Sequence, residues 1–305
     1  MKSHKKTVTQ NKVNPGIQDR IFYTVATVIV ALLTLLVLYP IIYIVSASFS
    51  SGNAVAQGKV WLWPVDFSLE GYKAVLRYKN VWIGYRNTLF YVIVGTFINV
   101  SVTMLCAYPL ARKNLKGRSF FSFLFSFTML FGGGMIPAYM LVKNLHMINT
   151  IWAMLIPGAM SVYNMIVARS FIQSNIPDEL LEASKIDGCD DFRFFFQIVL
   201  PLSEAILAVL ALWYAVGHWN AYFNAFLYLS DKELYPLQIF LKDILVNSQF
   251  DANMITDIET AIQQQNLKML LKYSLIVIST APLFVFYPFV QKHFVKGVMI
   301  GSVKG

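Results

Sequence analysis

Charged residues are scarce in this chain. Only 13% of its 305 residues are Asp, Glu, Lys or Arg, and 57% are hydrophobic, whereas about a quarter of the residues are charged in a typical soluble domain. The charged positions fall in clumps, which leaves long stretches that have none. This composition excludes an ordinary soluble domain and predicts a protein that lives in a bilayer.

Cysteine is nearly absent as well. Cys106 and Cys189 are the only two, and they lie in different predicted regions and in no ligand-spaced cluster, so neither a disulfide nor a metal site is predicted. No G-x-x-x-x-G-K-[ST] motif occurs, so nothing suggests that this polypeptide itself cradles ATP phosphates. We therefore predict no catalytic residue and no cofactor in this chain.

Six stretches contain no Asp, Glu, Lys or Arg, and each can hold the roughly 20 residues that a membrane-crossing helix needs. They are 21–58, 87–111, 119–142, 144–168, 205–230 and 273–291. The first ends in the polar run SASFSSGNAVAQG, which we interpret as the start of a loop. Because that stretch follows a polar segment and is too long for a signal core, we expect a retained helix. The sequence thus predicts an all-α integral membrane protein with six transmembrane helices.

The same six stretches weigh against two other classes of function. A membrane-embedded enzyme needs an acid, a base or a metal group at depth, and proton-coupled secondary transporters commonly use intramembrane carboxylates. The six spans contain no Asp, Glu, Lys or Arg in their centres. A structural membrane scaffold remains compatible with the composition.

Lys and Arg indicate the orientation, since cytoplasmic loops hold an excess of these residues. They cluster in 1–20, in the link RKNLKGR at 112–118 and in the tail 292–305. We therefore predict cytoplasmic segments at 1–20 and 292–305 around one membrane domain at 21–291, with both termini inside. The net charge of +9 then reflects topology and requires no nucleic-acid partner.

Two runs in the predicted loops and one run of glycines in the third span have patterns that predict local structure. WLWPVDFSLEGYKAVL is either an aromatic turn followed by an amphipathic interfacial helix or a plain loop. LYPLQIFLKDILVNSQF has helical spacing and predicts an external helix. Gly132, Gly133 and Gly134, followed by Pro137, interrupt the third span and predict either a break or a close approach of helices.

The segment 173–204, between the fourth and fifth spans, is too polar to cross the membrane. We expect a helix from about residue 177 to 187, with Ser174 or Asn175 as its cap. Gly188 can take the left-handed conformation that ends a helix, and Asp190 can cap the next one. The prediction is two short helices joined at a sharp corner, which alone is equally compatible with an acidic hairpin that only lies at the cytoplasmic surface.

The spacing inside this segment is more specific than its polarity. Glu182–Ala183 is followed by Gly188, then by nine residues, and then by Ile198, Leu200 and Pro201. This pattern resembles the EAA loop of bacterial ATP-binding-cassette (ABC) importer permeases, with Ser184 in place of the second alanine. The runs GHWNAYFNAFLYL and KHFVKGVMIGSVKG extend the similarity to the carbohydrate-uptake branch, especially permeases for oligosaccharides and polysaccharide fragments.

This resemblance implies a type I ABC importer permease architecture in a bacterial cell membrane, with cytoplasmic coupling helices between spans four and five. It implies two separate ATP-binding subunits that carry ATP and Mg²⁺, a second permease subunit that completes a heterodimer, an extracellular sugar-binding protein and an oligosaccharide substrate. By the same resemblance, the residues that dock on the ATPase are Glu182, Ala183, Ser184, Asp187 and Gly188. This loop is the only feature of the sequence that disfavours a structural membrane scaffold.

A polar face on the fifth span is the candidate substrate path, because amides bond sugar hydroxyls and aromatic rings stack on sugar faces. Its predicted residues share one helical face or lie beside it; they are Trp213, Tyr214, Gly217, Asn220 and Asn224, with His218 adjacent. The alternative is that the Asn side chains bond to neighbouring helices and that Trp219 and Tyr222 are interface anchors. Asn99, Thr103 and Asn164 are weaker candidates for the substrate path, and for each of them we rather expect a bond to a neighbouring helix. His146 has no catalytic or metal-binding group near it in the sequence.

Overall fold

The computed structural model describes residues 16–246 and 266–285, and over these ranges the secondary structure is helical, without strands. The helices in chain order are α1 Ile17–Ser48, α2 Gly52–Ala56, α3 Glu70–Arg77, α4 Lys79–Ala111, α5 Arg118–Leu130, α6 Met135–Asn144, α7 Trp152–Leu155, α8 Val162–Asn175, α9 Asp178–Ile186, α10 Asp191–Phe194, α11 Leu200–Leu202, α12 Glu204–Trp219, α13 Phe223–Tyr228, α14 Leu237–Val246 and α15 Asn266–Val285. One π-helical turn, Phe195–Val199, joins α10 to α11. The all-helical prediction is therefore confirmed for the described residues.

Three helices, α1, α4 and α15, are each long and apolar enough to cross a membrane. Two bent pairs also qualify if each pair counts as one span: α5 with α6, at 114°, and Asp191–Leu202 with α12, at 81°. Up to five spans are therefore visible in the described part of the chain. The predicted fourth span, 144–168, holds α7, an irregular stretch at 156–161 and the start of α8, so the count of six stays a prediction.

The interior of the bundle is organised around α4. This helix packs against α8, α12 and α14, and it buries polar as well as apolar side chains, among them Tyr91, Asn99 and Thr103. A core of apolar residues from α4, α8 and α10 to α12 surrounds its second half. A residue that packs against α4 therefore contacts the central helix of the bundle.

The first span differs from α4 because it stands largely clear of the core. Its apolar side chains are exposed along most of the helix, and only its end, at Ser46, Ala47 and Ser48, is buried. As predicted, α1 stops within the polar run that follows the apolar stretch. An apolar helix with so much free surface belongs in lipid or against another subunit.

Both loop runs contain a helix, and the predicted break in the third span is present; the interfacial position of the first helix and the external position of the second stay predictions. The run after Trp61 and Trp63 contains α3, and the run predicted as an external helix contains α14. The glycines after α5 form a break: Gly134 has φ +86°, and a Cβ at Gly132 or Gly134 would meet nothing within 4 Å. The glycines therefore serve the bend and do not allow a close helix approach within the described chain.

Some predictions fall on residues outside the described ranges. These are the tail 292–305, residues 286–291 of the last span, most of the N-terminal segment 1–20 and residues 247–265 of the loop before α15.

Candidate functional site

The polar segment between α8 and α12 forms the predicted corner. Helix α9 ends at Ile186, Gly188 has φ +75°, and α10 begins at Asp191. The Asp190 carboxylate accepts a hydrogen bond from the Arg193 backbone N–H at 2.7 Å, which caps α10. The helix, the left-handed glycine and the second cap are all where the sequence placed them.

The predicted cap of α9 is wrong. Ser174 and Asn175 belong to α8, and their side chains donate hydrogen bonds to the carbonyls of Ser170 and Phe171, four residues back, at 2.9 Å each. Short polar side chains often bond backward in this way when the helix continues past them. Helix α9 instead begins after Pro177, with no side-chain cap.

Helix α9 has one buried side and one exposed side. Leu181 and Ser184 are buried, and the Ser184 hydroxyl donates to the Leu181 carbonyl at 2.8 Å. We call the opposite side the outer face; its residues are exposed and recur at helical spacing, and they are Glu179, Glu182, Ala183 and Ile186. Ser184 therefore has a packing role, which explains why a small residue suffices there. Asp187 and Gly188 are exposed at the corner itself.

Ile186 is the residue of the outer face that sequence reasoning missed. Its side chain is 87% exposed, which is unusual for a large apolar residue in a helix that also has a buried side. The signal was available, because Ile186 follows Glu179, Glu182 and Ala183 at positions that share one face of a helix. An exposed isoleucine among carboxylates suits a partner surface that is both apolar and basic.

The aromatic run after the corner is divided between the core and the surface. Phe194 and Phe195 are buried, and the Phe195 ring lies 5.2 Å from that of Tyr108 on α4. Phe192 and Phe196 are exposed. Two of the four phenylalanines therefore anchor the corner to the bundle.

Two ion pairs fasten the start of α9 to the end of α4. The Asp178 carboxylate lies 2.9 Å from Lys113 Nζ and 3.5 Å from Arg112 Nη1. The hydrogen bond from Lys113, followed by the nearby positive charges, holds the pKa of Asp178 below its ordinary value. The carboxylate is therefore ionised at neutral pH. The corner is attached to the bundle at both of its short helices, or limbs: α9 by these ion pairs and α10 by the buried Phe194 and the adjacent Phe195.

The predicted common face of the fifth span does not extend to its asparagines. Helix α12 ends at Trp219, and α13 begins only at Phe223, so Asn220 and Asn224 are not on one helix with Trp213. The Asn220 amide donates to the Val216 carbonyl at 2.9 Å, within its own chain segment. That part of the prediction is wrong because the chain turns immediately after Trp219. Both asparagines are nevertheless exposed.

Trp213 and Gly217 do share one face of α12, one helical turn apart. The Trp213 ring lies 5.9 Å from the ring of Tyr163 on α8, and Tyr163 is 55% exposed. A Cβ at Gly217 would meet nothing within 4 Å, so α12 is uncovered one helical turn from Trp213 within the described residues. Tyr163 was not a sequence candidate, since nothing local reveals which ring of α8 meets α12.

Tyr214 lies on the inner side of α12 and braces the bundle. Its hydroxyl is 2.7 Å from the Thr103 hydroxyl and accepts a hydrogen bond from the Ser161 backbone N–H at 3.0 Å. Ser161 is also the cap of α8. Thr103 therefore bonds to a neighbouring helix, as expected, and Tyr214, which was predicted for the substrate path, takes part in the same contact between helices.

A second brace lies one helical turn earlier on α4. The Asn99 amide donates to the Gly158 carbonyl, and its oxygen lies 2.7 Å from His218 Nε2. Together with Tyr214, Asn99 gives partners to the irregular backbone at 156–161, which a bilayer interior would otherwise leave unsatisfied. Asn164 is buried within α8, and His146 lies in the turn after α6.

Long apolar helices around a braced central helix, with a charged two-helix corner on one side, define a polytopic helical membrane protein. Residues 11–300 match the family described as "Binding-protein-dependent transport system inner membrane component". The chain belongs to this family, so it is an ABC transporter permease, a transport subunit and not an enzyme.

Known relatives cover nearly the whole chain. Protein LplC of Bacillus subtilis (strain 168) is 40% identical over 87% of this chain and 89% of its own length. The polygalacturonan/rhamnogalacturonan transport system permease protein YtcP of the same organism is 37% identical over 94% of this chain and 100% of its own. A chain in the crystal structure of a bacterial ABC transporter involved in the import of the acidic polysaccharide alginate superposes with a TM-score of 0.85, at 34% identity over 92% of this chain and 99% of that chain.

Proposed function

We propose that this chain forms half of the translocation path of an ATP-driven importer for an oligosaccharide. The observation that carries the proposal is the outer face of α9 at the Gly188 corner, an exposed element that the fold fastens to α4. The names of YtcP and of the alginate transporter support a sugar, and more narrowly a fragment of a polysaccharide, as the substrate.

The proposed assembly follows from the family. A second permease subunit completes the path as a heterodimer, two ATP-binding subunits hold ATP and Mg²⁺, and an extracellular binding protein delivers the sugar. The residues proposed to meet the ATPase are Glu182, Ala183, Asp187 and Gly188, with Ser184 positioning the helix from within and Ile186 added from the structure. Carboxylates on this face offer charge-assisted hydrogen bonds of about 1.5–3 kcal/mol each.

The sugar is proposed to pass beside Trp213 and Tyr163. Gly217, one helical turn from Trp213, lies at an uncovered part of α12, and such paired rings can stack on the apolar faces of a sugar. Asn220 and Asn224, although they are not on the same helix as Trp213, are exposed and can supply amides. Tyr214 is excluded from direct contact by its burial.

Replacing Trp213 or Tyr163 with alanine is expected to lower the uptake of labelled oligosaccharide roughly tenfold, because a lost aromatic contact is worth up to about 1.5 kcal/mol beyond its area. Membrane level and retention of the ATPase should not change. Phe123→Ala is the matched control, since Phe123 is an exposed ring on α5, away from Trp213 and Tyr163. Uptake equal to that of the control would remove these rings from the path.

Cysteine labelling tests the proposed six-span topology. In a chain with Cys106 and Cys189 replaced by serine, a cysteine at Asn53 should react with an impermeant thiol reagent in intact cells, and one at Asn114 should react only after permeabilisation. Both positions are exposed. The reverse pattern would place the corner outside the cell and contradict an ATPase-docking role.

A deletion strain provides the direct test of function. Without this chain, uptake of one or more labelled oligosaccharides should be lost from a panel that includes pectin and alginate fragments, and the purified wild-type chain should retain two ATP-binding subunits. Uptake that is normal for the whole panel, with no ATPase retained, would overturn the proposal.

A further inference from the structure

Arg112 occupies an unusual position at the end of α4. It directly follows the last residue of that helix, and only 8% of its surface is exposed. The carbon at the centre of its guanidinium group lies 5.0 Å from the ring centre of Tyr108 and 4.9 Å from that of Phe194. The cation is therefore in contact with one ring from α4 and one from α10, an arrangement that suits the flat guanidinium of arginine.

The same side chain reaches the other limb of the corner. Its Nη1 lies 3.5 Å from the Asp178 carboxylate at the first residue of α9. Arg112 thus touches both short helices of the corner, α9 through Asp178 and α10 through Phe194, from a fixed point on α4. Lys113, by contrast, meets Asp178 with an exposed side chain and contacts no aromatic ring among the described residues.

Stability alone is a poor reason for this arrangement. Two of the guanidinium nitrogens, Nε and Nη2, are buried and have no hydrogen-bond partner within the described residues. A buried cation with unmet donors is costly, and an apolar side chain of similar volume is often as stable or more stable in such a place. The charged contact with Asp178 links the corner to α4 in a fixed direction. An apolar residue in the place of Arg112 would not make that contact.

We infer that Arg112 is a positioning residue for coupling: it holds both limbs of the corner to the end of α4, so that a displacement of α9 by the ATPase moves α4 with it. This inference rests on the proposed function, in which α9 is the element that the ATPase moves. It adds the residue that transmits the movement.

The movement has a physical route onward from α4. Thr103 and Asn99 lie on the same helix, and they bond to Tyr214 and His218 on α12 and to the irregular backbone at Gly158. Those contacts lie beside Trp213 and Tyr163, the proposed sugar platform. The amount of sugar transported per ATP hydrolysed measures coupling directly and is therefore the decisive quantity.

The test uses the complete transporter in proteoliposomes and measures sugar transported per ATP hydrolysed. Arg112→Met keeps an apolar filling between the rings and removes the charge, and Arg112→Lys keeps the charge and removes the planar group. Both are expected to lower the ratio about fivefold or more, the lower end of typical coupling effects, with the ATPase still bound. Lys116→Met is the matched comparator and should stay within about twofold, because Lys116 is an exposed cation of the same link and exposed charges contribute little.

A second variant keeps the test decisive if Arg112→Met does not assemble. Phe194→Leu retains apolar bulk and removes one ring of the arginine contact, so it should also lower the ratio. Combined with Arg112→Lys it should cost no more than the larger single effect, because both changes break one contact. A normal ratio in Arg112→Lys and Phe194→Leu, additive losses, or an equal loss in Lys116→Met would overturn the inference.

The outcomes also separate this inference from the proposed function. If Ile186→Asp releases the ATPase and the Arg112 variants transport with a normal ratio, the docking role stands and the positioning role fails. If Ile186→Asp leaves the ATPase bound and the coupling normal, the proposed function itself is contradicted, and no loss in an Arg112 variant can then be read as coupling.

Discussion

Replacing Ile186 with aspartate is expected to release the ATP-binding subunits from the transporter and to abolish uptake. Burial of an isoleucine side chain against a partner contributes about 1.5–3 kcal/mol, and Ile186 is the most exposed large apolar residue of α9. Aspartate removes that contribution and adds a carboxylate that the interface must desolvate, beside Glu182 and Glu179. Together these effects should weaken ATPase binding by roughly two orders of magnitude.

The measurement is retention of the ATP-binding subunits during purification, followed by their titration onto the permease pair. Ile186→Leu is the matched control and should retain them, because it preserves apolar area on the outer face. Glu182→Ala should show a smaller loss, since one charge-assisted hydrogen bond is removed while alanine keeps the helix. If the aspartate variant held the ATPase as tightly as the leucine variant, α9 would be a surface hairpin without a docking role.

The corner could be predicted from the sequence because its determinants are local. Gly188 is needed for a positive φ, Asp190 caps the helix that begins beside it, and the spacing from Glu182 to Ile186 puts the outer face on one side of a single short helix. Each of these features involves residues within a few positions of each other. Local propensity and helical periodicity are sufficient for such cases.

The features that sequence reasoning missed depend on contacts between distant segments. The irregular backbone at 156–161 is possible in the bundle because Asn99 and Tyr214, far away in the chain, supply its hydrogen bonds. The pairing of Trp213 with Tyr163 has the same origin. The wrong cap and the wrong common face had a different cause. Helix α8 continues through Ser174 and Asn175, the residues predicted to cap α9, and α12 ends before Asn220. Helix ends are set by tertiary packing as much as by propensity.

Gly188→Val is expected to reduce uptake to about a tenth of the wild-type rate or less, because an L-residue costs roughly 1–2 kcal/mol in the left-handed region and a β-branched one costs more. The effect is confined to the backbone, since a Cβ at this position would meet nothing within 4 Å. Gly188→Asn is therefore the sharp control: asparagine tolerates this conformation and adds a side chain of similar size, so most of the uptake should remain. Both variants should reach the membrane, and the valine variant should lose ATPase retention, since relief of the strain turns α9 away from its present direction. Equal uptake in the two variants would mean that the corner need not keep its conformation, and the outer face would then lose its geometric basis as a docking element.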